Sequence, residues 1–422
     1  MSRKYGANSL AAMVKNLYEA PMHRMVQGGR WLILVLPIVA GAQIDPVPRD
    51  LIQFGYNQPV EGCAPLGAYA FYYHNQPDFL RTNLTLRLAV APTYVDSEFG
   101  FANALGPNTD LGLGVAGGGF ADSYNEIRSG QWIKDESFDG HCAELSSSVY
   151  HRFNPDQMIP LNLVVRGAAH YSAYEKNDTA ADFKLPDDGG DFSVRTGLRY
   201  GGVEPTLFPE LAMELSVWYE GRFRTASGGY GFNDDRRVEP DTHLFWSSAA
   251  LSYTLPESKQ NFFVRLTAGT SVDADRLSAY RLGGYLPLVA EYPLSIPGYF
   301  FQEFSARDFA LINASYLVPI APNERWNLVF NGATANIDYL SDTEPTGNWV
   351  SGVGAGILYR SPSDQFKVIA AYGYGFDARR ADGLGASSIC LLLQIDLGRI
   401  RSPSFTPAQP GHWRGWDWLV GR

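Results

Sequence analysis

The chain is 422 residues long, with 45% hydrophobic and 14% aromatic residues, three cysteines and a formal net charge of −10. An acidic chain of this kind is a poor partner for nucleic acid. Cys63, Cys142 and Cys390 lack metal-ligand spacing, and no apolar run reaches the roughly 20 residues that a membrane-spanning helix needs.

Lys15, Arg24 and Arg30 precede an apolar run from Trp31 to Ala40, which ends in Ala40-Gly41-Ala42. A basic region, a short apolar core and a small-residue site read as a secretory signal peptide over residues 1–42. A buried core helix would show the same apolar run. Residues 1–42 hold five basic side chains and one acid, Glu19, so without them the net charge moves from −10 to −14. In an oxidising compartment Cys63 and Cys142 could pair; two unrelated thiols fit the sequence equally well. Residues 43–65 are Pro-rich and irregular, and read as a periplasmic lead-in or a plug-like arm.

From Leu66 onward runs of about ten residues alternate in hydrophobicity between polar Gly/Asp/Asn/Pro segments, the pattern of a transmembrane β-barrel. Leu161, Leu163, Val165, Ala169 and Tyr171 fall on one face, against Asn162, Arg166 and His170. Phe192, Val194, Leu198 and Tyr200 oppose Arg195 and Arg199; Leu211, Met213, Leu215, Val217 and Tyr219 oppose Glu214, Ser216 and Glu220; Phe262, Val264, Leu266 and Ala268 oppose Arg265. A soluble sandwich also alternates, but its polar face is rich in Lys and Glu. Here that face mixes Arg and Glu with Gly, Ser and Ala, as a lumen does, and the apolar face often ends in Tyr, Trp or Phe, as membrane-interface girdles do. The expectation is an all-β, antiparallel transmembrane barrel over 66–400, with about 14 strands, and 16 if a hairpin lies hidden within 97–123. Arg166, Arg195, Arg199, Glu214, Glu220, Arg265 and Asp396 should face the lumen. Arg195 and Arg199 should lie near Glu214 or Glu220 on the next strand, where unlike charges pair.

The segment 275–307, followed by an alternating strand over 308–320, interrupts the strands. It is too long and too apolar for a hairpin turn, and such loops in compact domains are functional or fold back. Arg281-Leu282-Gly283-Gly284, then Ile296-Pro297-Gly298-Tyr299, then an alternating strand ending Tyr316-Leu317-Val318-Pro319-Ile320 resemble a stretch of the BamA/TamA-type outer-membrane family, the bacterial surface antigens. That family carries L-G-G, then [VIL]-[RS]-G-[FY] on a loop folded into its barrel, and five strands after it. The resemblance implies a 16-stranded barrel in the outer membrane, here without periplasmic POTRA domains. One position departs: Pro297 stands where the family often has an Arg that docks on the wall. The resemblance therefore implies that Arg281 supplies the charge, pairing with an acid or carbonyl of the late strands such as Asp396, and that Gly298 approaches the wall closely. The loop, 280–304, should fold into the lumen rather than expose its apolar side chains.

The last strand presents Ile389, Leu391, Leu393, Ile395 and Leu397 on one face, and resembles the terminal strand that outer-membrane insertion machinery recognises. Cys390 within it reads as packing. The tail, 401–422, is Trp-rich and reads as disordered, interfacial or lumen-plugging. No catalytic constellation stands out: His74, His141, His151, His170 and His243 are scattered, and Ala116-Gly117-Gly118-Gly119 precedes no helix. Asp187, Asp188 and Asp191, with Asp234 and Asp235, mark acidic loops that are solvated or hold Ca²⁺. No enzyme activity, cofactor or metal is expected. Two functions remain: a barrel of the BamA/TamA type that assembles or translocates polypeptide or lipid, with outer-membrane lipid and protein partners, or a passive channel or structural barrel.

Overall fold

The computed structural model describes residues 47–321, 324–340, 347–381 and 383–401. The expected signal peptide and most of the Trp-rich tail lie outside them. Sixteen antiparallel strands close into one barrel. In chain order they are β1 (Arg49–Pro59), β2 (Gly67–Gln76), β3 (Leu84–Ala91), β4 (Tyr94–Gly106), β5 (Thr109–Gly118), β6 (Asp139–Arg152), β7 (Leu161–Glu175) and β8 (Gly189–Gly202). The second half comprises β9 (Leu211–Arg224), β10 (Asp241–Thr254), β11 (Asn261–Val272), β12 (Phe304–Pro319), β13 (Trp326–Tyr339), β14 (Trp349–Arg360), β15 (Phe366–Arg380) and β16 (Gly383–Asp396). Each strand pairs with the next, and β1 pairs with β16, Leu51–Pro59 lying opposite Ser388–Asp396. Closure leaves no free edge, which is how a sheet satisfies its backbone in lipid.

Two strands correct the sequence reading. Arg49–Pro59 is a barrel strand and not a lead-in. Its inward residues include Gln53 and Asn57, each 1% exposed, so half of its alternation is polar and the prolines around it mask the rest. The other is β4. Only Pro92 and Thr93 separate it from β3, with no glycine to mark the turn, so the two strands read as one across 82–95.

Alternation divides inside from outside. Phe192, Leu215, Val217, Leu266 and Ile312 are 46–55% exposed on the outer face. Glu214, Glu220 and Arg265 are only 3–7% exposed within. An apolar exterior over a charged interior is the pattern of a lipid-facing barrel. The turns at one end are short; the other end carries 119–138, 176–188, 225–240 and 273–303.

Candidate functional site: a lumen filled from its own wall

The segment 273–303 leaves β11 and returns as β12. Asp275 fixes its start by accepting hydrogen bonds from Leu277 N and Ser278 N (both 2.9 Å), and pairs with Arg224. Tyr280–Leu282 then pairs with Phe304–Ala306 and extends the wall. Gly283 and Gly284 follow at φ +130° and +63°, where a side chain would be strained. They turn the chain inward, and Ile296 N closes the turn by donating to Gly284 O (3.0 Å). Leu282, Leu286, Ile296, Tyr299 and Phe300 are wholly buried.

This loop spans the lumen. On one side Glu291 pairs with Arg199 of β8, and Arg265 of β11 donates to the Glu291 carbonyl (3.3 Å). Tyr292 packs against the rings of Trp218 and Trp246 (centroids 6.1 and 6.3 Å). On the other side Gly298 N donates to Ser388 Oγ of β16 (3.1 Å), Tyr299 OH to the Ser351 carbonyl of β14 (3.1 Å), and the Cys390 thiol to the Tyr285 carbonyl (3.2 Å). The wall is bared to receive it. A Cβ on Gly352 or Gly375 would strike Pro297 or Tyr299, and one on Gly373 would lie 2.9 Å from Gly298 N. Gly298 itself sits at φ +87° against Tyr374 and Gly375. Pro297 thus touches the wall through its backbone.

The charge that ties the loop to the wall is not Arg281. Arg281 donates to the carbonyls of Asn125 (2.8 Å) and Gln302 (2.9 Å) and lies over the Tyr124 ring; Asp396 bonds Arg399 instead. The tie runs in the opposite sense, an arginine on the wall and an acid on the loop. Arg380 of β15 holds Glu303 through two nitrogens (2.8 and 3.0 Å) and covers the Phe300 ring. Both side chains are 3% exposed. Glu303 Oε2 also accepts from Phe300 N (2.7 Å), fixing the loop's end. An isolated acid such as Glu303 or Glu291 in an apolar run gives no sequence signal of this.

Other lumen charges form ion pairs between strands. Arg166 meets Glu144 (2.7 Å), Arg195 meets Glu220 (2.7 Å through Nε), and Arg199 lies 3.9 Å from Glu214. At the short-turn end, residues 203–210 fold into the mouth. Gln53 of β1 donates to the carbonyl of Pro205 (2.8 Å) and to Gln394 Oε1 of β16 (3.1 Å), which also accepts from Leu207 N (2.9 Å). Lys367 donates to the Leu207 carbonyl (3.2 Å). One turn thus straddles the β1–β16 closure.

At the loop end, Tyr124, Phe138, Phe183, Tyr230 and Val238 form a small apolar core beside the buried acid Glu126, which Arg276 binds at 2.7 Å. Burial pushes the Tyr124 and Tyr230 phenols up. The Glu126 carboxylate raises Arg276 against the opposing effect of burial.

No protein-family model matches the chain, and no curated protein matches it. Solved structures do. CdiB from Acinetobacter baumannii superposes with a TM-score of 0.52 at 9% identity, over 82% of this chain and 60% of that one. BamA from Haemophilus ducreyi lacking POTRA domains 1-3 gives 0.52 at 10%, over 86% and 75%. CdiB from Escherichia coli gives 0.52 at 11%, over 84% and 64%. The chain thus spans less than two thirds of either CdiB. At these identities the likeness is one of fold: a 16-stranded barrel of the kind found in bacterial outer membranes.

Proposed function

We propose that this chain resides in the outer membrane and belongs with barrels that assemble or translocate other molecules, rather than with open channels. One observation carries the reading. The lumen is occupied by a segment of the chain itself, 273–303, seated on the glycine-bared wall of β14–β16 beside the barrel's closure. A passive channel would use an infolded loop only as a constriction that narrows its path. A barrel that must stay sealed until engaged uses it as the seal. The action is mechanical: the β1–β16 ladder parts or the loop withdraws, and polypeptide or lipid passes. The ordering cost of the loop is offset by burial of Leu286, Ile296, Tyr299 and Phe300. Lipid, the insertion machinery and envelope proteins are the partners this reading implies, with no covalent chemistry.

Single-channel recording on the protein with 285–303 replaced by a short Gly/Ser linker tests it. The native barrel should be quiet, and the linker variant, still heat-modifiable on gels, should conduct in large steady steps. Equal steady conductance from both would favour the passive channel.

A further inference from the structure

One cluster of donors takes no part in holding the loop. Asp122, Cys142 and His170 lie far apart in sequence and, among the described residues, form a group whose ligand atoms all fall within 4.8 Å of one another. Their placement follows from register. Cys142 and Glu144 point inward from β6, opposite Ser172 and His170 of β7, and Asp191 of β8 lies opposite His170 from the other side. The segment after β5 folds back over β6, with Asp122 N donating to the Gly140 carbonyl (3.0 Å), and this brings the Asp122 carboxylate down onto the pair. His170 Nε2 is 2.8 Å from Asp122 Oδ2, and its Nδ1 is 3.4 Å from Glu144 Oε2.

We propose that this cluster is a site for a borderline-soft divalent cation, Zn²⁺ in class. Three observations carry it. The donor set is one nitrogen, one sulfur and one oxygen, the mixture that selects Zn²⁺ over Ca²⁺ or Mg²⁺. A salt bridge has no use for the thiol; Ser172, opposite it, donates its hydroxyl to Asp122 Oδ2. Glu144 on the far ring nitrogen completes the carboxylate–histidine–metal arrangement that orients ligating imidazoles. Charge points the same way. Asp122, Glu144 and Asp191 converge here; Arg166 serves Glu144 and Arg222 lies 3.9 Å from Asp191, while Asp122 meets His170 and the Ser172 hydroxyl and, among the described residues, no arginine or lysine within ion-pair distance.

Bond lengths of about 2.0–2.3 Å at tetrahedral angles place donor atoms roughly 3.3–3.7 Å apart. The Asp122–His170 contact must therefore open by about half an ångström, within reach of side-chain rotation. A cleft of about 250 Å³, lined in part by Asp122, Ser172 and Asp191, gives a cation a path to the Asp122 side of the cluster. Binding requires the thiol to give up its proton to solvent and the imidazole to present a free ring nitrogen.

The test is titration of the detergent-solubilised Cys63→Ser protein, which lacks the exposed thiol, with Co²⁺ as a spectroscopic probe. One equivalent should give a thiolate-to-cobalt charge-transfer band that Zn²⁺ abolishes. Cys142→Ser should remove the band, and Glu144→Gln should weaken binding by about 10- to 100-fold. No band, or a band that survives Cys142→Ser, overturns the proposal. Alkylation gives a second readout that needs no further variant: Zn²⁺ should slow modification of Cys142, and an unchanged rate overturns the site.

Discussion

Gly352→Ala attacks the docked loop from the wall, without touching the loop itself. A Cβ at this position would fall well inside 3.0 Å of the Pro297 carbonyl oxygen, closer than real Cβ atoms come, and 3.3 Å from the Tyr374 carbonyl oxygen. Both obstacles are backbone, so no rotamer change relieves them. The loop must lift at the position where Gly298 N bonds Ser388 and Tyr299 OH bonds Ser351. Overpacking of this kind costs about 1–3 kcal/mol, and one lost hydrogen bond adds roughly 0.5–1.5 kcal/mol. Together they amount to about 2–4 kcal/mol, which shifts the ratio of docked to released loop by roughly 30- to 1,000-fold. Limited proteolysis within 285–303 reads that ratio, and heat-modifiability on gels reads barrel closure. Cleavage should accelerate while the barrel stays closed. Gly332→Ala is the control: on the next strand, its Cβ would meet nothing nearer than 3.8 Å. If both variants resist protease as the native protein does, the loop is not held by its fit to the glycine wall, and the account of a self-sealed lumen fails.

Other consequences follow from the same geometry. Glu303→Gln leaves Arg380 buried without its counter-charge, a loss of about 3–5 kcal/mol, and should lower the temperature of the heat-modifiable transition; a transition within error of the native one contradicts the tie. Val217→Arg, on the outer face and 55% exposed, should cost about 2–4 kcal/mol at mid-membrane and reduce the yield of folded barrel in lipid vesicles, whereas unimpaired insertion would contradict a lipid-facing β9. The loop-end core should respond to alkali. Burial raises the Tyr124 and Tyr230 phenols, so folding favours their neutral forms; that stabilisation is whole below the unfolded value near about pH 10 and is lost as pH climbs through the raised values. Protease sensitivity of the 225–240 hairpin should stay flat up to about pH 10 and then rise, and a rise beginning nearer about pH 8 would contradict the assignment.

Periodicity had direct physical meaning here. A residue's place in a strand fixes its side of the sheet, and lipid on one side with polar lumen on the other makes the two faces chemically unlike. Fold class and the inward set from Arg195 to Glu220 could therefore be read locally. Strands failed to show where that contrast was blunted: β1 carries Gln53 and Asn57 on its inner face, and β3 and β4 share a two-residue turn without glycine. The composition of the loop said that it could not stay in water, and its length that it could reach inward.

Where it would land was another matter. Arg281 and Arg380 are both arginines near glycine-rich turns, and nothing local distinguishes them. Only closure of the barrel puts β15 beside Glu303, leaving Arg281 to bind the carbonyls of Asn125 and Gln302. The turn at 203–210 reads as an ordinary connection, yet it reaches Gln53 and Gln394 because β1 and β16 meet. Asp122, Cys142 and His170 have no motif spacing, because three segments supply one atom each. Local patterning determined which way each strand faces; the pairing of distant strands decided which charges, glycines and donors meet, since those contacts exist only once the ends of the chain have closed the ring.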